Sequence, residues 1–140
     1  MIHVCVDASF ALKLVLDEPE SARVSELWAA WIEAGVEIVA PYHLIFEAVS
    51  VIRNNVYRKN LSAESGELAF KAFLAQDIRL LTPQELHQQA WTLAARFNRP
   101  TMYDVYYLAL AERLNCDVWS ADRRLYNAVA GEFPRLKMLS

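Results

Sequence analysis

The sequence predicts an α/β fold, a layered sandwich in which a mainly parallel sheet of about four or five strands is flanked by helices. Short β-rich runs alternate with stretches whose apolar residues recur three and four apart, the pattern of strands joined by helical crossovers. The 140 residues are 55% hydrophobic, enough for one core, so residues 1–140 are read as a single domain. There is no internal repeat, low-complexity tract or linker to divide them.

The run Ile2 to Val6 is the first strand, and Ala8 to Leu16 turns to helical spacing before Pro19 interrupts it. From Glu20 to about Ala34, Val24, Leu27, Trp28 and Trp31 mark one face of a helix. Gly35 is its C-cap, and Val36 to Ala40 is the second strand. Tyr42 to Lys59 follows as a helix that is apolar almost all round in its first half, so its front end is expected to be buried. Ser62 caps an amphipathic helix reaching Gln76, and Ile78 to Leu81 is a short strand. Thr82 and Pro83 open a helix to about Phe97, which Asn98 to Pro100 breaks, and Tyr103 to Leu114 is the next. Val118 and Trp119 form a strand, Asp122 opens a helix ended by Gly131 and Pro134, and Leu136 to Leu139 is the last strand.

No apolar run reaches the roughly 18 residues of a membrane span, and mean hydropathy is +0.11. Met1 to Val6 runs straight into a strand with no signal-peptide pattern before it, so the expectation is a cytoplasmic protein with no membrane partner. Cys5 and Cys116 lie among strand-type residues and read as buried core thiols. The net charge of −3 gives no basic footprint for nucleic acid, although Arg53, Arg58, Lys59, Arg96, Arg99, Arg123 and Arg124 could gather locally.

Four acids carry the chemistry: Asp7 after the first strand, Glu47 inside an apolar helix, and Asp104 and Asp122 near the starts of later helices. Brought to one sheet edge they would repel one another, and a hard cation removes that repulsion, so they read as a Mg²⁺ or Mn²⁺ site. Each also has a plain structural role available. Asp7 and Asp122 can cap helices, and Asp104 can sit on a helix dipole. Glu47, among Leu44, Ile45, Phe46, Ala48 and Val49, is the hardest to explain without a site, because an unpaired buried carboxylate costs several kcal/mol. Ser9 can cap a helix or hydrogen-bond a ligated acid, and Lys13, about one turn on, can pair with the acids or lie in solvent. His43, four residues before Glu47, raises a zinc-type alternative, which His3 and His87 do nothing to complete.

VDASFALK with Asp7 and Ser9, APYHLIFEAVSVIR with Glu47, YDVYYLALAERL with Asp104 and VWSADRRLYNA with Ser120 and Asp122 follow in an order and spacing that resembles the PIN-domain nucleases. In size and pattern the chain looks like the VapC-type toxins of toxin–antitoxin pairs. The resemblance spans nearly the whole chain and implies a PIN-like three-layer sandwich. It also implies that Asp7, Glu47, Asp104 and Asp122 hold Mg²⁺ or Mn²⁺, directly or through water, with Ser9 and Ser120 as the hydroxyls beside the first and last acids. Val105 and Tyr106 stand where smaller residues often occur, and Tyr126 and Asn127 add no further acid.

The activity implied is that of a metal-dependent endoribonuclease leaving a 5′-phosphate and a 3′-hydroxyl. Asp7, Asp104 and Asp122 would be its ligand core, with Glu47 a ligand or the residue that orients the attacking water. The partners implied are RNA, a small antitoxin whose C-terminal segment lies across the groove, and a second copy of the chain. Tyr103, Tyr106 and Trp119 are read as core residues ahead of base-stacking platforms, because their helix and strand need apolar faces. A Rossmann-like phosphatase or phosphotransfer domain is the enzyme rival. Ser9 stands where one such class needs a second Asp. The non-enzyme rival is an interaction module in which the acids only cap helices and the surface around Trp28, Trp31 and Phe46 takes a partner.

Overall fold

A computed structural model describes residues 2–139. Its strands are β1 (His3–Val6), β2 (Glu37–Ala40), β3 (Arg79–Leu80), β4 (Val118–Ser120) and β5 (Leu136–Met138). Its α-helices are α1 (Ala8–Ala11), α2 (Ser21–Glu33), α3 (His43–Tyr57), α4 (Ala63–Leu74), α5 (Glu85–Arg96), α6 (Tyr103–Leu114) and α7 (Arg123–Val129). The five strands form one sheet in the order β3-β2-β1-β4-β5, and every pairing is parallel. The expected α/β sandwich is therefore the observed one.

This order fixes where a site can form. From β1 the chain steps outward through β2 to β3, then crosses back to β4 on the other side of β1. Right-handed crossovers place the two sets of helices on opposite faces, and the switch in direction opens a crevice beyond the carboxyl ends of β1 and β4. Val6 pairs with Trp119 at that edge, and the Asp7 amide donates to the Trp119 carbonyl at 3.1 Å.

The core follows from the same layering. Cys5, Val6, Val39 and Ala40 on the central strands are fully buried, as parallel strands covered on both faces should be. On one face Phe10, Trp28, Trp31 and Trp119 form an aromatic cluster with ring centroids 5.6 to 6.5 Å apart. Helix α6 packs on β1 and α5, and its residues Val105 and Tyr107 to Ala111 are all buried. Both cysteines are buried and unpaired, as expected.

Several boundaries move for local reasons. The first helix is a single α turn continued by a 3₁₀ turn over Leu12–Leu14, shorter than Ala8 to Leu16. Glu20 lies outside its helix, with a left-handed φ of 73°. Gly35 takes φ 73° just past α2, the conformation a helix C-terminus favours in glycine. Ser62 caps α4 by accepting from the Ser65 amide at 3.0 Å. Thr82 and Pro83 precede α5 rather than opening it, and the Thr82 hydroxyl accepts from the Tyr42 amide at 2.9 Å. The front of α3 is not wholly buried as expected: Leu44 and Ala48 face the core, but Phe46 is 74% exposed, so the apolar run there is wider than the stripe the fold covers.

Candidate active site

Asp7 leaves β1 at the crevice and caps α1. Its Oδ1 accepts the Phe10 amide at 2.9 Å and the Ser9 hydroxyl at 2.7 Å. Ser9 Oγ in turn accepts the Ala121 amide at 2.9 Å, and Ser120 Oγ accepts the Asp122 amide at 2.9 Å. The two hydroxyls are 3.3 Å apart. These bonds stitch the turns after β1 and β4 together. Asp122 caps α7, its Oδ1 accepting the amides of Arg124 at 3.0 Å and Leu125 at 3.2 Å.

Capping and cation binding are therefore compatible in this geometry. At both aspartates the cap hydrogen bonds fall on Oδ1 and leave Oδ2 outside them. A carboxylate has two oxygens, and a cap uses one.

Asp104 stands in the first turn of α6, 3.9 Å from the Arg99 guanidinium. Glu47 comes from α3. Its Oε1 accepts the Tyr107 hydroxyl at 3.0 Å and lies 3.1 Å from His43 Nε2. The Glu47 side chain is 34% exposed, so it is not the sealed acid that its apolar neighbours predicted. The difference arises because α3 turns that side toward the crevice and toward Tyr107.

The electrostatics show the four acids converging. Burial pushes the Asp7 carboxyl up to about 6; the Ser120 and Ser9 hydroxyls and the Phe10 amide oppose this, and the charge of Asp104 adds to it. Burial also raises Asp104, helped by the charges of Asp122 and Glu47 and opposed by Arg99 and His43. Asp104 thus feels all three other acids. Among the described residues no three or more His, Cys, Asp or Glu side chains lie close enough together to hold a metal ion between them. An open set of hard oxygens still fits Mg²⁺, which keeps much of its water and takes one or two carboxylates directly.

The Tyr107 hydroxyl, buried and beside Glu47, is held well above the usual phenol range, so it stays a donor. The His43 Nε2 is 2.8 Å from the Tyr103 carbonyl, which only accepts, so that nitrogen carries hydrogen and is closed to a zinc ion. Residues 4–131 match the PIN domain family. The chain belongs to the PIN-domain family. Ribonuclease VapC12 of Mycobacterium tuberculosis is 30% identical over 122 residues, which cover 87% of this chain and 88% of that protein. The VapC ribonuclease Mb0985 of Mycobacterium bovis is 27% identical over 131 residues, 94% of each chain. Among solved structures, Mycobacterium tuberculosis VapC20, a sarcin-ricin loop cleaving toxin, aligns with a TM-score of 0.67 at 17% identity over 93% of this chain and 95% of its own. PAE2754 from Pyrobaculum aerophilum gives 0.66 at 20% identity over 93% and 81%.

In this PIN domain of the VapC type, some expectations around the site need correcting. Lys13 does not reach the acids; its ammonium donates to the Pro19 carbonyl at 2.9 Å and lies 3.8 Å from Glu18. Of the basic residues expected to gather, Arg99 reaches an acid of the site, whereas Arg96 turns to Glu132. Trp119 is packed in the aromatic cluster, and the Tyr106 hydroxyl bonds His87 Nδ1 at 2.7 Å. Tyr103 is not a core residue, being 62% exposed immediately before Asp104. The contacts of Tyr107 and Arg99 with the acids escaped the sequence reading. The i, i+4 spacing of His43 and Glu47 was visible there, but as an alternative metal pair.

Proposed function

We propose that this VapC-type PIN domain is an endoribonuclease, the toxin of a type II toxin–antitoxin pair, and that Asp7, Asp104, Asp122 and Glu47 hold Mg²⁺ or Mn²⁺. The carrying observation is Asp104 facing the charges of Asp7, Asp122 and Glu47 at the β1–β4 switch point, with Asp7 pushed up to about 6. Such a cluster lacks positive charge, and Arg99 at 3.9 Å supplies only part of it.

Bound there, the cation would neutralise the acids, increase the acidity of water and stabilise charge on phosphoryl oxygens. The chain's own residues do the placing. Ser9 and Ser120 fix Asp7 and Asp122 by their hydrogen bonds, and Glu47 orients water or adds an oxygen ligand. Tyr103, exposed beside Asp104, offers a face on which an unpaired base can stack, which favours single-stranded or looped RNA. The names of the ribonuclease relatives support RNA as substrate, and the VapC type supports a small antitoxin, a homodimer and a cytoplasmic setting. Among the described residues no helix is long and apolar enough to cross a membrane.

The helix caps made by Asp7 and Asp122 favour a second reading, a non-cleaving interaction module. Incubating purified chain with RNA in Mg²⁺, Mn²⁺, Ca²⁺ or chelator separates the two. Cleavage in Mg²⁺ and Mn²⁺, poor in Ca²⁺ and abolished by chelator, supports the nuclease. Cleavage that survives the chelator contradicts the metal site, and absence of both cleavage and Mn²⁺ binding favours the module.

A further inference from the structure

Glu47 touches two side chains to which the cleavage reading gives no task. The Tyr107 hydroxyl reaches from α6 to donate to Glu47 Oε1 at 3.0 Å. His43 Nε2 gives its single hydrogen to the Tyr103 carbonyl and lies 3.1 Å from the same Glu47 oxygen, beside it rather than bonded to it. The Tyr107 ring is 1% exposed and cannot swing away, and the His43 ring packs against it with centroids 4.8 Å apart. The Tyr107 hydrogen bond falls on Oε1, and Oε2 takes no hydrogen bond from the described residues.

A partly exposed glutamate on a helix samples many rotamers, and ordering it when a ligand arrives has an entropic cost. A donor fixed in the core, with the His43 ring packed beside it, removes much of that freedom beforehand. Groups that hold a ligating carboxylate by its other oxygen commonly set both its direction and its affinity for a cation. We infer that Tyr107, with the His43 ring packed against it, is a positioning residue that holds Glu47 Oε1 and presents Oε2 to the cation or to the attacking water. This rests on the cleavage reading of the site and adds to it the residue that holds its one helix-borne glutamate.

Tyr107→Phe keeps the buried ring and removes only the hydroxyl. His43→Ala, at a side chain 20% exposed, is the second variant should the first fold poorly. Mn²⁺ affinity is read from the Mn²⁺-dependent rise in melting temperature, alongside kcat and KM for RNA cleavage. Each variant should bind Mn²⁺ about 10-fold or more weakly and lose kcat with KM little changed. In a Glu47→Gln background Tyr107→Phe should have no further effect on Mn²⁺ affinity, because the group it positions is already gone. Unchanged Mn²⁺ affinity and kcat in both variants, with Mn²⁺ binding lost in Asp7→Asn, overturns the positioning role and leaves the cleavage reading standing. An equal loss with and without Glu47 also overturns it, as a structural effect. An unmodified chain that binds no Mn²⁺ overturns both readings.

Discussion

Replacing Asp7 by Asn should stabilise the metal-free protein, although Asp7 caps a helix. Asp7 is 5% exposed, and its carboxyl rises from 3.8 to about 6 in the fold. The folded chain therefore holds this proton more tightly than the unfolded chain. Below pH 3.8 both states are protonated and no penalty applies; between 3.8 and about 6 stability falls as pH rises; above that the full cost of a buried charge is present. At about 1.4 kcal/mol for each tenfold change in proton affinity, the cost is about 3 kcal/mol. Asn keeps an acceptor for the Phe10 amide and the Ser9 hydroxyl and carries no charge. Asp7→Asn should then melt higher than the unmodified chain at pH 8 by up to about 10 °C at this chain length. The gap should close toward pH 4, and saturating Mn²⁺ should reverse the order by favouring the ionised carboxylate. Thermal melts in chelator from pH 4 to 8 measure it. A variant less stable by the same amount at every pH would refute the reasoning, since it would mean that the charged hydrogen bonds outweigh burial.

Asp122→Asn should lose RNA cleavage by orders of magnitude yet keep its melting temperature in chelator within a few degrees, because Asn can still cap α7; circular dichroism melts paired with gel assays check this. Tyr103→Ala should raise KM for a single-stranded RNA severalfold with kcat less affected, as loss of a stacking face weakens binding by about 1–3 kcal/mol, and steady-state kinetics would reveal the opposite pattern. Gly66→Ala should lower stability by about 1 kcal/mol in urea unfolding, since the added Cβ would lie 2.2 Å from Val56 Cγ2 at the α3–α4 contact and a valine in a helix has little rotamer freedom to yield.

The sheet and the positions of Asp7 and Asp122 were legible in the sequence because short β-rich runs ending in Asp, followed at once by helical spacing, leave few other arrangements. Parallel strand order also follows once helices separate the strands. What stayed hidden depends on contacts between distant segments. The bond from Tyr107 to Glu47 joins residues 60 positions apart, and no local pattern announces it. Glu47 is more exposed than its apolar neighbours predict because the apolar run on α3 is wider than the stripe the core covers, and Phe46 carries the surplus on the outside. Tyr103 departs from its expected core position for a similar reason. An aromatic in the first turn of a helix can point past the end of the sheet, where composition does not distinguish packing from exposure.

Asp104 couples electrostatically to Asp7, Asp122 and Glu47, so one substitution there bears on the whole cluster. Cleavage of RNA by Asp104→Asn, measured with the Mn²⁺-induced rise in melting temperature on the same preparation, is the most direct measurement of the claim that the four acids form a catalytic cation site. The variant should fold, lose cleavage by at least about 100-fold, and lose most of the Mn²⁺-induced stabilisation together. Cleavage at the unmodified rate, with an unchanged Mn²⁺ response, would contradict the account.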